Sequence, residues 1–122
     1  MKRRLLFVDD DADVRDAFAD LLEFAGWSVD RATDGQDALE WLATNPAPML
    51  ILLDLKMPRC DGYEFRRRQL ADPRWRGIPT VVFTADAGLD AARTPPLDGA
   101  TLIRKSASFA ELRAALDRLC PP

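Results

Sequence analysis

The 122-residue chain contains no histidine, and this absence excludes several kinds of chemistry. Ser-His-Asp and Cys-His catalysis, general-base work by histidine and every histidine-ligated metal site all need an imidazole. A metal ion bound by this chain must therefore be held by oxygen ligands or by the two cysteines.

Cysteines and long apolar runs are also scarce. Cys60 and Cys120 lie far apart, and small secreted domains use more disulfide partners than this, so we expect free thiols in a reducing compartment. The apolar run 5–8 meets three consecutive aspartates and is too short for a signal peptide. No run approaches the roughly 20 apolar residues that span a membrane. We therefore expect a cytoplasmic protein with no membrane partner.

Neither sign of charge dominates, since 20 acidic and 17 basic residues give a net charge of -3. Nucleic-acid binding needs a basic surface, so we expect no nucleic-acid partner. One basic cluster stands out, but acidic residues interleave with it, which favours a solvated helix face. Its members are Lys56, Arg59, Arg66, Arg67, Arg68, Arg74 and Arg76.

Short apolar runs alternate with helical patterns along the whole chain. Strands are predicted over 5–8, 27–31, 49–53, 79–84 and 100–103. Helices are predicted over 12–25, around 38–42, over 62–71 and from 109 onward, the last with Phe109, Leu112, Leu116 and Leu119 facing inward. This alternation predicts one domain, 1–122, of the α/β class: a doubly wound parallel sheet with helices on both faces.

The segment 86–99 breaks this pattern. A fourth helix is expected there, but Thr94-Pro95-Pro96 limits it, because proline lacks a donor and the residue before it avoids helical geometry. We expect at most a short or irregular helix, over 88–93.

Polar side chains follow the predicted strands where ligands bind to open parallel sheets, beyond the carboxyl ends. Asp9 and Asp10 follow the first strand, Asp54 the third, Thr84 ends the fourth, and Lys105 follows the fifth. Clustered carboxylates with a hydroxyl and an ammonium suit Mg²⁺ and a phosphoryl group. Each residue taken singly also has an ordinary structural interpretation. The aspartates at 9–11 could cap the first helix, and Asp54 could be a turn residue. Thr84 could be only a hydroxyl at the end of a strand, and Lys105 could be only a solvated charge.

The motifs at these positions resemble those of the response-regulator receiver family, over nearly the whole chain. The resemblance rests on Phe7-Val8-Asp9-Asp10, on Leu53-Asp54-Leu55-Lys56-Met57-Pro58 with Asp61-Gly62, on Val82-Phe83-Thr84-Ala85, on Lys105, and on Arg31-Ala32-Thr33-Asp34-Gly35 with Ala38-Leu39.

The resemblance implies a five-stranded sheet of order 2-1-3-4-5 and a phosphorylation switch. Asp54 would accept a phosphoryl group from a partner histidine kinase or histidine phosphotransfer protein. Asp9, Asp10, Asp54 and the backbone carbonyl of Lys56 would hold Mg²⁺, while Thr84 and Lys105 would bind the phosphoryl oxygens. Such a protein is not an enzyme beyond its own phosphorylation and dephosphorylation.

The same resemblance implies output through contact with a downstream protein or through a phosphorelay, from a stand-alone monomer or weak dimer. The missing histidine means that the phosphohistidine must come from a partner. Two positions depart from the family pattern: Ser106 stands where a proline usually follows the lysine, and Leu102 stands where an aromatic residue is usual.

Other functions stay open on the sequence. A degenerate receiver acting as a constitutive protein-interaction module fits the altered Leu102 and Pro95-Pro96 region. An aspartate-nucleophile phosphohydrolase is disfavoured, because Lys56 stands where that class has an acid. A flavodoxin is disfavoured because the aspartates at 9–11 would repel the cofactor phosphate.

Overall fold

The computed structural model describes residues 2–85, 89–90 and 92–122. In this part of the chain five parallel strands form one sheet of order β2-β1-β3-β4-β5, which confirms the predicted fold. The strands are β1 (Arg3–Val8), β2 (Trp27–Ala32), β3 (Leu50–Leu53), β4 (Thr80–Thr84) and β5 (Thr101–Arg104). The α-helices are α1 (Ala12–Phe24), α2 (Gly35–Thr44), α3 (Gly62–Ala71) and α4 (Phe109–Leu119).

Side-chain caps fix where the helices begin. Asp11 accepts hydrogen bonds from the N–H groups of Asp13 and Val14, and so satisfies donors that the first turn of α1 leaves open. The other three α-helices are capped in the same way by Asp34, Asp61 and Ser108. After α1 the chain turns through Gly26 at φ +102°, a conformation that favours glycine.

The sheet is buried on both faces because its strands are apolar at successive positions. Leu5 and Phe7 of β1 pack with α1 and α4, whereas Leu6 and Val8 pack with α2 and α3. This alternation follows from the two-residue period of a strand. It explains the unbroken apolar runs that predicted β1 and β3.

The strand register brings the ends of the strands together at one edge of the sheet. Val8 pairs with Leu53, so the residues that follow them, Asp9 and Asp54, are neighbours. At the other side of β4, Thr84 pairs with Arg104, the residue before Lys105. The carboxyl edge therefore collects the polar residues predicted to lie there.

The segment before β5 is irregular, as predicted, with a 3-10 helix at Pro95–Leu97. The short helix expected over 88–93 includes residues outside the described part of the chain. Leu97 is buried against Leu55, Tyr63 and Val82, so the segment is packed onto α3 and β4.

Two sequence predictions about packing are wrong. Leu119 is 39% exposed, whereas Leu112 and Leu116 are buried as predicted. The buried side of α4 continues four residues beyond Leu116, at Cys120, which packs in the same core cluster. Arg66 does not belong to a solvated helix face, since it is only 5% exposed. No helix among the described residues is long and apolar enough to cross a membrane.

Candidate phosphoacceptor and metal site

Backbone hydrogen bonds hold the two buried aspartates at the carboxyl edge. The Asp54 N–H donates to Val8 O at 2.9 Å, and the Asp9 N–H donates to Ala32 O at 3.1 Å, which extends the sheet ladder by one residue on each side. Asp9 is fully buried and Asp54 nearly so. The ends of β1 and β3 therefore place the carboxylates of Asp9 and Asp54 next to each other.

Asp10 completes a trio of carboxylates with Asp9 and Asp54. Each residue of the trio offers a carboxylate oxygen, and these oxygens lie within 4.8 Å of one another. Oxygen ligands at this spacing suit a hard divalent cation such as Mg²⁺, and a cation removes the repulsion between the charges. The donor set present in the chain therefore fits the predicted metal.

Lys105 brings a positive charge into contact with this trio. Its Nζ lies 2.8 Å from Asp9 Oδ2 and 3.5 Å from Asp54 Oδ2. Burial acts to lower the pKa of Lys105, but the hydrogen bond to Asp9 and the charge of Asp54 outweigh it, so the pKa is raised. Lys105 is thus a fixed ammonium beside both carboxylates.

The Asp54 carboxyl is the perturbed acid of the site. Burial and, after it, the charge of Asp9 raise its pKa from 3.8 to about 6, although Lys105 and the Leu55 N–H act in the opposite direction. The Leu55 N–H donates to Asp54 Oδ1 at 2.9 Å, which fixes the orientation of the carboxylate. A buried carboxylate with a raised pKa, held in place and facing an ammonium, is typical of a reactive position.

Thr84 lies at the same edge, where the sequence predicted it. It is 3% exposed, and its backbone carbonyl accepts a hydrogen bond from the Lys105 N–H at 2.9 Å. This bond ties the end of β4 to the residue that carries the ammonium.

The loop 54–61 carries the remaining predicted ligand, the backbone carbonyl of Lys56, whose side chain is exposed. The Gly62 N–H donates to Leu55 O at 2.9 Å, and a Cβ at Gly62 would overlap the backbone oxygen of Asp54 and approach Leu55 Cα to 2.8 Å. Glycine is required at this position because the start of α3 lies directly against the backbone of Asp54 and Leu55.

The contacts of three arginines were not predicted, two of them near the site and one in the core. The Arg15 Nη1 donates to the backbone carbonyl of Asp9 at 2.7 Å, Arg59 pairs with Asp34, and Arg66 donates to Pro96 O at 3.0 Å from inside the core.

A model of the response regulator receiver domain matches residues 5–117. The chain belongs to this family.

Relatives and solved structures agree with the assignment to the receiver family. The response regulator MprA of Mycobacterium sp. (strain KMS) is 38% identical over 99% of this chain, and this chain spans 54% of MprA. The chain thus spans about half the length of the curated relatives it matches. A CheY-like receiver domain protein of Methanospirillum hungatei JF-1 is 26% identical, covering 98% of this chain and 94% of its own, at a TM-score of 0.85.

A second solved receiver bears on the metal. The receiver domain of a sensor histidine kinase of Pseudomonas aeruginosa PAO1 is 26% identical and covers 98% of both chains, at a TM-score of 0.84. That structure has a magnesium ion coordinated in its active site cleft.

Two residues beside the site were expected from the sequence to depart from the family pattern, Leu102 and Ser106. Leu102, on β5, is 44% exposed. Among the described residues no peptide bond is cis, so Lys105 and Ser106 are joined by a trans bond. The carboxylate trio and Lys105 thus lie together at the carboxyl edge of the sheet.

Proposed function

We propose that this receiver is a signalling switch in which Asp54 accepts a phosphoryl group in a Mg²⁺-dependent reaction. One observation carries the proposal: Asp54 is a buried carboxylate of raised pKa that lies within 4.8 Å of two further carboxylates and 3.5 Å from the Lys105 ammonium. This arrangement supplies a nucleophile, a cation site and a fixed positive charge in one place.

The transfer follows from the positions of these groups. A carboxylate oxygen of Asp54 attacks the phosphorus of a phosphohistidine, an O–P bond forms, and the P–N bond breaks, with its electron pair and a proton ending on the imidazole of the donor. Lys105 neutralises negative charge on the phosphoryl oxygens, and Thr84 offers its hydroxyl to one of them. Mg²⁺ held by Asp9, Asp10, Asp54 and the Lys56 carbonyl would supply further charge neutralisation.

The donor and the output lie outside this chain. The given sequence has no histidine, so the phosphohistidine lies outside it, on a histidine kinase or a histidine phosphotransfer protein. We propose that the phosphorylated form acts by contacting a downstream protein or by passing its phosphoryl group on. The cytoplasmic location, the one-domain organisation and the monomeric or weakly dimeric state stay predictions of the sequence.

A second candidate function is a constitutive interaction module. The exposed Leu102 favours it, because the aromatic residue that usually occupies this position is missing from the surface beside β5. This candidate predicts that partner binding does not depend on the chemical state of Asp54.

The proposal is tested by the intact mass of the protein after incubation with a small phosphodonor. We expect a single phosphoryl adduct that requires Mg²⁺ and is lost in Asp54→Ala. The matched control is Asp72→Ala, an aspartate paired with Arg74 outside the site, which should keep the adduct. If the protein stays unmodified at every Mg²⁺ concentration, the phosphorylation switch is contradicted, and the constitutive interaction module remains as the candidate function.

A further inference from the structure

The phosphoacceptor loop, residues 54–61, is fastened to α2 as well as to α3. The Gly35 N–H, in the first residue of α2, donates to Cys60 O at 2.9 Å. A Cβ at Gly35 would come within 2.7 Å of Cys60 Sγ, so the loop packs directly against the start of this helix. The first residue of α2 therefore contacts the loop directly at Cys60.

Arg59 is the residue of this loop under backbone strain. It is the one non-glycine residue in the described chain with a positive φ, at 62°. This left-handed region favours glycine or asparagine, because the Cβ of other residues crowds the backbone. An arginine therefore holds this conformation against a local preference, and an interaction elsewhere in the structure must stabilise it.

The ion pair with Asp34 is that interaction. Arg59 Nε donates to Asp34 Oδ2 at 2.7 Å, and Nη2 donates to Asp34 Oδ1 at 3.0 Å, which is the two-pronged geometry of the stronger arginine–carboxylate pairs. Asp34 also caps α2, because its carboxylate accepts a hydrogen bond from the Asp37 N–H at 2.8 Å. This bond holds the carboxylate in place independently of Arg59.

The Asp34 carboxylate is more buried than the acidic partners of the other surface arginines, while the Arg59 side chain is itself 57% exposed. The Asp34 side chain is only 6% exposed, whereas Asp72, which pairs with Arg74 through two similar bonds, is 23% exposed. The more buried carboxylate is less screened by water and less free to move. Asp34 is therefore a better anchor for a loop than the carboxylate of an ordinary surface pair.

We propose that the Asp34–Arg59 pair is a clamp that positions the loop carrying the Lys56 backbone carbonyl for Mg²⁺ binding. Asp34 and Arg59 are positioning residues, since they act through the loop backbone. The inference rests on the proposed function, in which this carbonyl joins the three carboxylates at the metal. It adds a connection between α2 and the metal site that no motif in the chain indicates.

The test measures Mg²⁺ affinity by isothermal titration calorimetry and, on the metal-free protein, amide hydrogen exchange at Gly35 and Cys60. Arg59→Ala and Asp34→Asn should each weaken Mg²⁺ binding about tenfold, the lower end of the effect of removing a residue that orients a metal ligand. The double variant should be no weaker than either single one, because the two side chains act as a unit. Both amides should exchange faster in all three variants.

Arg74→Ala is the matched control, since it breaks a two-bond arginine–aspartate pair away from the loop. It should leave both readouts within twofold of the unsubstituted protein. Unchanged affinity and unchanged exchange in Arg59→Ala would overturn the clamp. If the unsubstituted protein binds no Mg²⁺, the proposed function fails, and the exchange at Gly35 and Cys60 then decides by itself whether the clamp holds the loop.

Discussion

Replacing Asp54 by asparagine removes a buried negative charge and preserves the shape of the side chain. The amide oxygen of asparagine can still accept the hydrogen bond from the Leu55 N–H, and Lys105 keeps its closer partner, Asp9, at 2.8 Å. The substitution therefore isolates the cost of the charge. We expect Asp54→Asn to be more stable than the unsubstituted protein at neutral pH in the absence of Mg²⁺.

The size of the effect follows from the pKa of Asp54, which the fold raises from 3.8 to about 6. This shift corresponds to about 3 kcal/mol by which the ionised carboxylate destabilises the folded protein above pH 6. Between the two pKa values the folded state binds more protons than the unfolded state, so this destabilisation develops as pH rises through that window. The advantage of the asparagine variant should shrink to about 0.5 kcal/mol at pH 4.

The assay is denaturant unfolding of both proteins at pH 7.5 and pH 4, with thermal unfolding as a second measurement. At pH 7.5 the midpoint temperature of Asp54→Asn should be higher by about 10 °C. Saturating Mg²⁺ should narrow the gap, because the ion stabilises chiefly the protein that keeps all three carboxylates.

Asp72→Asn is the control, because the hydrogen bond from Arg74 lowers the pKa of Asp72 instead of raising it. This variant should gain no stability at either pH. The reasoning is refuted if Asp54→Asn is no more stable than the unsubstituted protein at pH 7.5, or if its gain is as large at pH 4.

Two further substitutions test the packing around the site by denaturant unfolding. Arg66→Ala should cost about 2–3 kcal/mol of unfolding free energy, because it leaves a cavity and removes three hydrogen bonds, two of them buried. Replacing the exposed Arg68 by alanine should cost under about 0.5 kcal/mol, and equal losses in the two variants would show that Arg66 is solvated. Gly62→Ala should cost about 2 kcal/mol of unfolding free energy and reduce phosphorylation, because the added Cβ meets the Asp54 backbone. The control is Gly77→Ala, which should be tolerated because a Cβ there meets nothing within 4 Å. An unchanged stability in Gly62→Ala would contradict the close approach of α3 to Asp54.

The sheet could be predicted from the sequence because its strands are short, apolar and buried on both faces. All four residues of Leu50–Leu53 are buried, and this run stands between turn residues in the sequence. Asp9 and Asp54 could be predicted to meet, because each directly follows a central parallel strand. Their positions directly after two strands were enough to predict that they meet, since the carboxyl ends of the strands in one parallel sheet lie at the same edge.

The contacts of Arg59 and Arg66 could not be predicted from the sequence, because their partners are remote in the chain. Arg59 pairs with an aspartate 25 residues away, and Arg66 reaches Pro96, 30 residues away. A run of arginines on α3 is typical of a solvated face, and only the packed structure shows that Arg66 points inward to Thr80. Leu119 was predicted wrongly because apolar residues at spacings of three and four left both Leu119 and Cys120 as candidates for the buried position after Leu116, and the structure buries Cys120.

The most direct test of the central claim is to locate the phosphoryl group. After incubation with Mg²⁺ and a small phosphodonor, borohydride reduction converts an aspartyl phosphate to homoserine, which peptide mapping by mass spectrometry identifies. We predict homoserine at position 54 and at no other aspartate, Asp9 and Asp10 included. Homoserine at another position with Asp54 unmodified, or no reduced residue from a protein that carries the adduct, would contradict it.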